Sequence, residues 1–562
     1  MHVVAYTCYS IDMYIRTTSR TNKDGSVVRY IQLAHNEWDP VAHRSRVRVL
    51  FNLGREEQVD KQALARLVSS ISHFLEPTRA QLPGTGLSSE PAFLSSKPMG
   101  GAWVLDALWR KLGIHRVLLK LLEAREFEAP VERAIFAMVA NRALAPMSKL
   151  AVEDWVRDED SVPGLPEVPV HNLYRAMDFL VQANEHVQKE VFFSVADLLN
   201  LEVDLLYFDT TSTYFWGEAD EPGQGLRRHG HSKDHRPELP QVVIGLAVTR
   251  TGIPVRCWVW PGNTTDMSVV KQVKDDLVDW KLGRVITVVD RGFASEENLK
   301  YLQRTGGHYI AGRPLRSHNG SSETVPVPPG RYKVLRPNLH VKEVVVGDGE
   351  ARKRYVVAYN PEAAKFVKAA RDELLESIRH ELQRMSQLKG EAHERACRKL
   401  MTHDRYGRFV KIEGHGRVVI DQAKVEMEER LDGKFLIGTS DDTLSVEDVA
   451  FGYKQLLEVE QAFRTLKSTL EIRPIYHRLG ERIQAHVLLC WLALLLIRLA
   501  ETKTGQTWCQ IRHQLQIVHA IECVDGNTRV RRRIELTPAQ RRLFEALDIE
   551  KPPLLLALSS HG

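Results

Sequence analysis

Three acidic side chains stand where stability alone would not put them. Asp209 interrupts the apolar run LLYFDTTSTYF, Asp290 ends the run RVITVVD, and Glu460 lies in YKQLLEVEQAFRTLK between Tyr453 and Lys467. A carboxylate buried without a partner costs several kcal/mol, so each of these needs a cation, a donor network or solvent. Asp290 alone reads equally well as a strand-end cap or turn former. Tyr453, Glu460 and Lys467 recur at i, i+7 and i+14, and seven residues at about 100° each return to within about 20° of the same helix face. They would form one polar stripe, although a solvated face has the same spacing. Two strands and a later helix that together supply three carboxylates suit divalent metal. Mg²⁺ takes hard oxygen ligands and keeps several waters. Two such ions about 3.5–4 Å apart activate the attacking oxygen and stabilise the leaving one in phosphodiester chemistry. Lys467 would then pin a phosphate.

The elements that must position these residues follow from periodicity. SVVRYIQLA and VRVLFNL read as strands, with Asp24-Gly25 as a two-residue hairpin turn. Residues 77–100, rich in Pro, Gly and Ser, read as a linker. Apolar residues spaced three and four apart in WVLDALWRKLGI, HRVLLKLLEA, VERAIFAMVANRAL and HNLYRAMDFL predict a helical region over 101–200. At Leu205 the period changes to that of strands. VVIGLAVT and PVRCWVW flank Arg250-Thr251-Gly252 as a hairpin, RVITVVD is a further strand, ASEENLKYLQRTG is a helix capped by Ser295, and GHYIAGRP returns to strand. Strands followed by a helix and another strand describe a mixed α/β sheet. Residues 317–440 read as a β-rich insertion with a charged helix from Pro361 to about Leu388, before the core pattern resumes at 441.

With 562 residues the chain is too long for one core and suggests about three to five modules. Hydrophobic residues at 43% and charged residues at 27% exclude a disordered chain, a collagen-like repeat and a small disulfide scaffold. The formal charge of +5 does not by itself demand a nucleic-acid partner, so the placement of charge matters more. Cys8, Cys257, Cys397, Cys490, Cys509 and Cys523 are scattered without C-x-x-C spacing, which fits a reduced cytosolic protein and argues against structural zinc. The start MHVVAYTCYSIDMYIR has no basic segment followed by a long apolar run, so no secretory signal is expected. Val487–Ile497 is apolar but short of the roughly twenty residues of a membrane span, and it reads as a buried helix.

The blocks YFDTTSTYF, VVDRGFAS and YKQLLEVEQAFRTLK, with GNTTD around Asp266, SKDHRPELPQ from Ser232, RPIYH from Arg473, NRALAPMSKLA and the amino-terminal MYIRTTSRTNKDGSVVRYIQL, resemble the DDE transposases of bacterial insertion sequences, in the IS-four-like superfamily. The likeness covers most of the chain. It implies an α/β, ribonuclease-H-like catalytic core in which Asp209, Asp290 and Glu460 bind two Mg²⁺ ions, with Mn²⁺ able to substitute. It also implies a β-rich insertion before the Glu helix. The family's helix signature is Y-x₂-R-x₃-E-x₆-K; Tyr453, Glu460 and Lys467 match it, but the Arg position is Leu456. Arg464, one turn after Glu460, is the candidate to replace that phosphate contact.

The expected organisation is a basic β-hairpin module over 1–76, the linker, the helical region, a first part of the core over 201–316, the insertion, a second part over 441–505 and a basic carboxyl-terminal region over 506–562. Double-stranded DNA, as element ends and target, is the expected partner, with a homodimer forming on it, in the cytoplasm and without membrane contact. The first 55 residues hold eight basic side chains against four acidic ones, which suits a DNA backbone or, equally, a solvated hairpin face. The loop carrying Arg227, Arg228, Lys233 and Arg236 reads the same two ways. Arg529, Arg531, Arg532, Arg533, Arg541 and Arg542 face only Glu535 and read as a DNA contact. Gly225 and Gly230 have P-loop spacing, but His231 stands where the Lys is required. No H-E-x-x-H or G-x-S-x-G occurs. The expected activity is cleavage at the element ends and joining of 3′ ends to target DNA. The alternatives are a metal-dependent nuclease of the same core without strand transfer, and a domesticated DNA-binding protein without chemistry.

Overall fold

The computed structural model describes residues 13–21, 27–39, 44–56, parts of 59–71, 92–123, 130–315 without 202, 222, 281, 283 and 284, and 330–560 without 350, 351, 415, 416, 526 and 527. The opening segment, the Asp24-Gly25 turn and residues 77–91 of the expected linker lie outside the described residues. The chain divides into two compact units. One is Met1–Ser95 with Glu522–Val530 and Leu558–Gly562, and the other is Ser96–Ile521 with Arg531–Ala557.

In the first unit, β1 (Met13–Thr21), β2 (Val27–Asp39) and β3 (Arg44–Arg55) form an antiparallel sheet in that order. The first seven residues of β1 alternate between exposed and half-buried, the period of two that a strand imposes. Thr21 stands opposite Val27, so the pairing brackets the expected turn.

The second unit begins at Ser96, within β4 (Ala92–Pro98), and continues with the helices Gly100–Lys111, Ile114–Leu122, Val131–Leu144, Lys149–Asp154, Val170–Gln182 and Asn184–Leu199. Every residue of Val131–Leu144 is buried, because the helices Val170–Gln182 and Gly480–Thr504 pack against it. The apolar run at 487–497 is the middle of Gly480–Thr504. That helix is long and apolar enough to cross a membrane, yet 89% of its most apolar window is buried inside the unit. Its apolar surface is spent on the core of the protein. The five cysteines among the described residues are all free thiols.

The sheet that carries the acidic residues is built from β5 (Leu205–Tyr214), β6 (Gln241–Thr249), β7 (Pro254–Pro261), β8 (Ile286–Val289), β9 (His308–Arg313), β10 (Lys333–Arg336), β11 (Leu339–Val346), β12 (Lys353–Tyr359) and, after the separate hairpin of β13 (Val410–Glu413) and β14 (Arg417–Ile420), β15 (Lys434–Thr439). Its nine strands run β10-β11-β12-β15-β9-β8-β5-β6-β7. β5, β8 and β9 are parallel neighbours and the remaining pairs are antiparallel. Strands expected to lie in an insertion therefore extend the same sheet, since β15 pairs with the free edge of β9. What stands apart is the stretch from Pro361 to about Arg430. Its helices Pro361–Met385, Glu391–Met401 and Gln422–Glu429 and the β13–β14 hairpin enclose a small core of their own around Ile378, Leu400, Phe409 and Val425. The physical reason is that an apolar strand such as RYVVAY satisfies its backbone and both faces only by joining an existing sheet.

Alternation along β5 sends Leu205 and Tyr207 into the larger core and Leu206 and Phe208 into a second core on the other face. Asp209 follows Phe208, so it points toward the first face, as does Asp290 after Val289.

Candidate active site

The register sets the first two carboxylates side by side. Phe208 is paired with Val289 across the parallel β5–β8 ladder, and the next residue on each chain is Asp209 and Asp290. Asp209 lies at a half-buried position within β5, while Asp290 has left the strand and precedes a short 3₁₀ turn, Arg291–Phe293. Glu460 comes from the helix Leu457–Arg464, which packs across β5 and β6. Asp209, Asp290, Glu460, Tyr453, Arg291 and Gly312 line one cavity of about 800 Å³.

Burial pushes the Asp209 carboxyl up to about 6, and the nearby charges of Asp266 and Asp290 push the same way, while Lys233 and the Thr210 N–H oppose them. Lys233 Nζ lies 3.7 Å from Asp209 Oδ1 and 3.2 Å from Asp266 Oδ2. The Tyr453 hydroxyl donates to Asp290 Oδ1 at 2.9 Å. Burial and the adjacent Asp290 charge hold that phenol above its usual range.

The seven-residue stripe of Tyr453, Glu460 and Lys467 does not survive as one helix. The chain runs Val446–Lys454, breaks at Gln455 and Leu456, continues as Leu457–Arg464 and ends in a π turn, Thr465–Thr469. Across the break, bonds from Leu456, Glu458 and Val459 reach back three residues rather than four, and Gln455 accepts a hydrogen bond from the Tyr207 hydroxyl at 2.8 Å. The extra residue in the π turn rotates Lys467 away from the cavity. Its ammonium instead meets Asp234 Oδ1 at 2.8 Å, and Arg473 holds the other oxygen of Asp234 at 2.5 Å. Leu456, at the Arg position of the helix signature, is buried, and Arg464 is exposed.

The basic loop is largely committed within the protein. Arg227 forms two hydrogen bonds to Asp220 Oδ1 and braces the loop. Arg228 donates to the carbonyls of Asp220 and Gln224. Arg236 pairs with Glu238 and lies over the rings of Tyr214 and Trp216, at 5.4 and 5.0 Å from their centroids. In the carboxyl-terminal patch, Arg531 donates to Ser161 and Arg533 to the carbonyls of Pro552 and Ile534, whereas Arg532 and Arg542 are exposed.

Asp266, Asp234, Arg473 and Gly312 were not picked out as site residues by the sequence reading. Asp266 and Asp234 sit in GNTTD and SKDHR, and their acidic character beside helix-start and basic residues was the available signal. Gly312 carried no signal. A Cβ there would stand 2.3 Å from the Tyr453 hydroxyl oxygen and 3.0 Å from its Cζ. Gly312→Ala is expected to displace the Tyr453 ring from Asp290, lowering the DNA cleavage rate roughly tenfold and costing about 1–3 kcal/mol from overpacking. Cleavage rates and melting temperatures of Gly312→Ala with and without Tyr453→Phe check this. Additive losses would show that the two residues act independently.

Among the described residues no three His, Cys, Asp or Glu side chains gather tightly enough to form a ready metal cage. The donor set still fits divalent metal. Asp209, Asp290 and Glu460 bring three carboxylates, the hard-oxygen donors that divalent ions take, to the lining of one cavity, and the charges of Asp266 and Asp290 add to burial in raising the Asp209 carboxyl.

Residues 221–496 match the transposase DDE domain, and residues 15–81 match the N-terminal domain of the IS1634 family transposases. Together these matches span more than half of the chain, which belongs to the DDE transposases of bacterial insertion sequences. It is an enzyme of DNA transposition, in a family that uses divalent metal ions. No curated protein matches the chain. Among solved structures, the chain is similar to the piggyBac transposase in a cryo-EM synaptic complex with hairpin DNA, with a TM-score of 0.33 and 9% identity over 74% of this chain and 78% of that chain.

Proposed function

We propose that the protein binds the inverted-repeat ends of its own element, cleaves there and joins the freed 3′ ends to target DNA, as a soluble cytoplasmic enzyme that works as a homodimer on DNA. The observation that carries this reading is that Asp209, Asp290 and Glu460, far apart in the chain, line one cavity. The parallel strands β5, β8 and β9, flanked by antiparallel β6 and β7, form a ribonuclease-H-like core around it. Asp209, Asp290 and Glu460 would hold two Mg²⁺ ions, which when bound supply activation of the attacking oxygen and charge neutralisation at the leaving one. Tyr453 fixes the rotamer of Asp290 through its hydrogen bond. Arg291, exposed at the cavity wall, draws in the phosphate backbone. Tyr453 holds the cut strand at the cavity, with Arg464 taking the phosphate contact that Leu456 cannot make, while Lys467, paired with Asp234, braces the loop that carries Lys233. The basic amino-terminal sheet and the helices before β5 contact the element ends.

The test supplies pre-cut element ends and a supercoiled target plasmid in Mg²⁺. Joined products are expected. Cleavage of uncut ends without any joining would instead identify a nuclease, and the absence of both under Mg²⁺ and Mn²⁺ would identify a binding protein without chemistry.

A further inference from the structure

The environment of Lys233 differs from that of an ordinary ion pair. Its ammonium has three donors. Thr210 O accepts at 2.9 Å, Thr210 Oγ1 at 2.7 Å, and Asp266 Oδ2 lies at 3.2 Å. Asp209 is the most distant of its partners, at 3.7 Å. The Thr210 hydroxyl donates its own proton to Asp266 Oδ1 at 2.5 Å, which leaves its lone pairs free to accept from Lys233. Asp266 therefore acts twice, once directly on the ammonium and once by orienting the hydroxyl that receives it. The Lys233 backbone N–H donates to Ser212 Oγ at 2.9 Å, so the loop cannot drift from the strand.

We infer that Asp266 is a positioning residue that acts through Lys233: it holds the ammonium off the Asp209 carboxylate and so keeps that carboxylate open to a divalent cation. When Asn replaces Asp266, a single amide oxygen remains to accept, so either the Lys233 N–H loses its acceptor or the Thr210 hydroxyl is freed to turn, and the charge that draws the ammonium is gone. The nearest remaining anionic oxygen is that of Asp209. Lys233 then pairs with it directly, and a divalent ion must compete with an ammonium already in place. The inference rests on the reading of Asp209 as a metal ligand.

The experiment measures Mn²⁺ binding to the full-length protein without DNA, by the electron paramagnetic resonance signal of free Mn²⁺. Asp209→Asn should abolish the tightest binding, and unchanged binding in that variant would overturn the reading of the site itself. Asp266→Asn should weaken Mn²⁺ roughly tenfold, the scale of one competing charge at this distance in a partly solvated site. Lys233→Met should bind Mn²⁺ as tightly as the wild type or more tightly. The double variant should recover the affinity lost in Asp266→Asn. If Asp266 ligated the ion directly, removing Lys233 would restore nothing, and that result overturns the inference. So does an unchanged affinity in Asp266→Asn when Asp209→Asn has lost binding. Should Asp266→Asn fail to fold by circular dichroism, Lys233→Met decides alone, and weakened binding in it rejects the proposal.

Discussion

Asp209→Asn is expected to lower Mg²⁺-dependent cleavage at the element ends by at least about a thousandfold, roughly 4 kcal/mol of transition-state stabilisation, while leaving end binding close to that of the wild type. The substitution keeps the volume of the side chain and removes only its charge. Asp209 sits at a half-buried position within β5, beside Asp290, so no other carboxylate of the strand can take its place. Glu460→Gln should behave alike, because Glu460 lines the same cavity from the helix side. The measurement pairs a gel-shift titration with single-turnover cleavage. Cleavage at the wild-type rate in Asp209→Asn would remove the chemistry from this cavity. Loss of end binding in parallel with cleavage would point to misfolding instead, which the melting temperature distinguishes.

The second large effect concerns stability. Lys149 is buried at the start of the helix Lys149–Asp154, and its ammonium nitrogen has no hydrogen-bond partner. Around it lie Arg142, His477, His486 and Cys490. Arg142 is bound to the carbonyls of Leu470, Glu471 and Met147 and feels the Glu471 charge, whereas no carboxylate is among the charges that act on Lys149. Burial, and then the Arg142 charge, bring Lys149 down to about 7. Burial also lowers His477 to about 4 and His486 well below its usual range, so both are neutral near pH 7. A lysine whose folded pKa lies below its unfolded one is charged more readily in the unfolded chain. Between the folded pKa and about 10.4 the unfolded state holds more protons, and stability rises with pH. The penalty is fully present below pH 7 and vanishes above the unfolded pKa. Lys149→Met should therefore stabilise the protein by roughly 3–5 kcal/mol at pH 6.5, with the gain shrinking steadily toward pH 10. Melting temperatures of both proteins across that range test it. A difference that does not change with pH would show that Lys149 is solvated or paired in solution.

Much of the positioning was legible before any tertiary structure. The apolar runs around Asp209 and before Asp290 mark strands, because only a sheet buries both faces of LLYF and VITVV. Ser295 accepts the Asn298 N–H as the cap of its helix, and Arg250-Thr251-Gly252 joins β6 and β7 with Gly252 at a φ of +74°. These features are local, and local chemistry writes them into neighbouring residues. The stripe of Tyr453, Glu460 and Lys467 was misleading for the opposite reason. A seven-residue repeat assumes an unbroken helix, whereas the Tyr207–Gln455 hydrogen bond and the π turn are set by partners elsewhere in the chain. The 317–440 segment likewise reads as strands in sequence, yet which edge they join depends on the free ladder groups of β9.

The amino-acid order alone thus determined the family, the strand-borne aspartates and the helix that brings Glu460, since residue type and periodicity act over a few residues. Only the folded chain decided that Asp234 rather than the cavity receives Lys467, that Gly312 makes room for Tyr453, and that Asp266 holds Lys233 beside Asp209. Such contacts join residues tens to hundreds of positions apart. Their energies depend on distances of a few ångströms, which no spacing along the chain encodes.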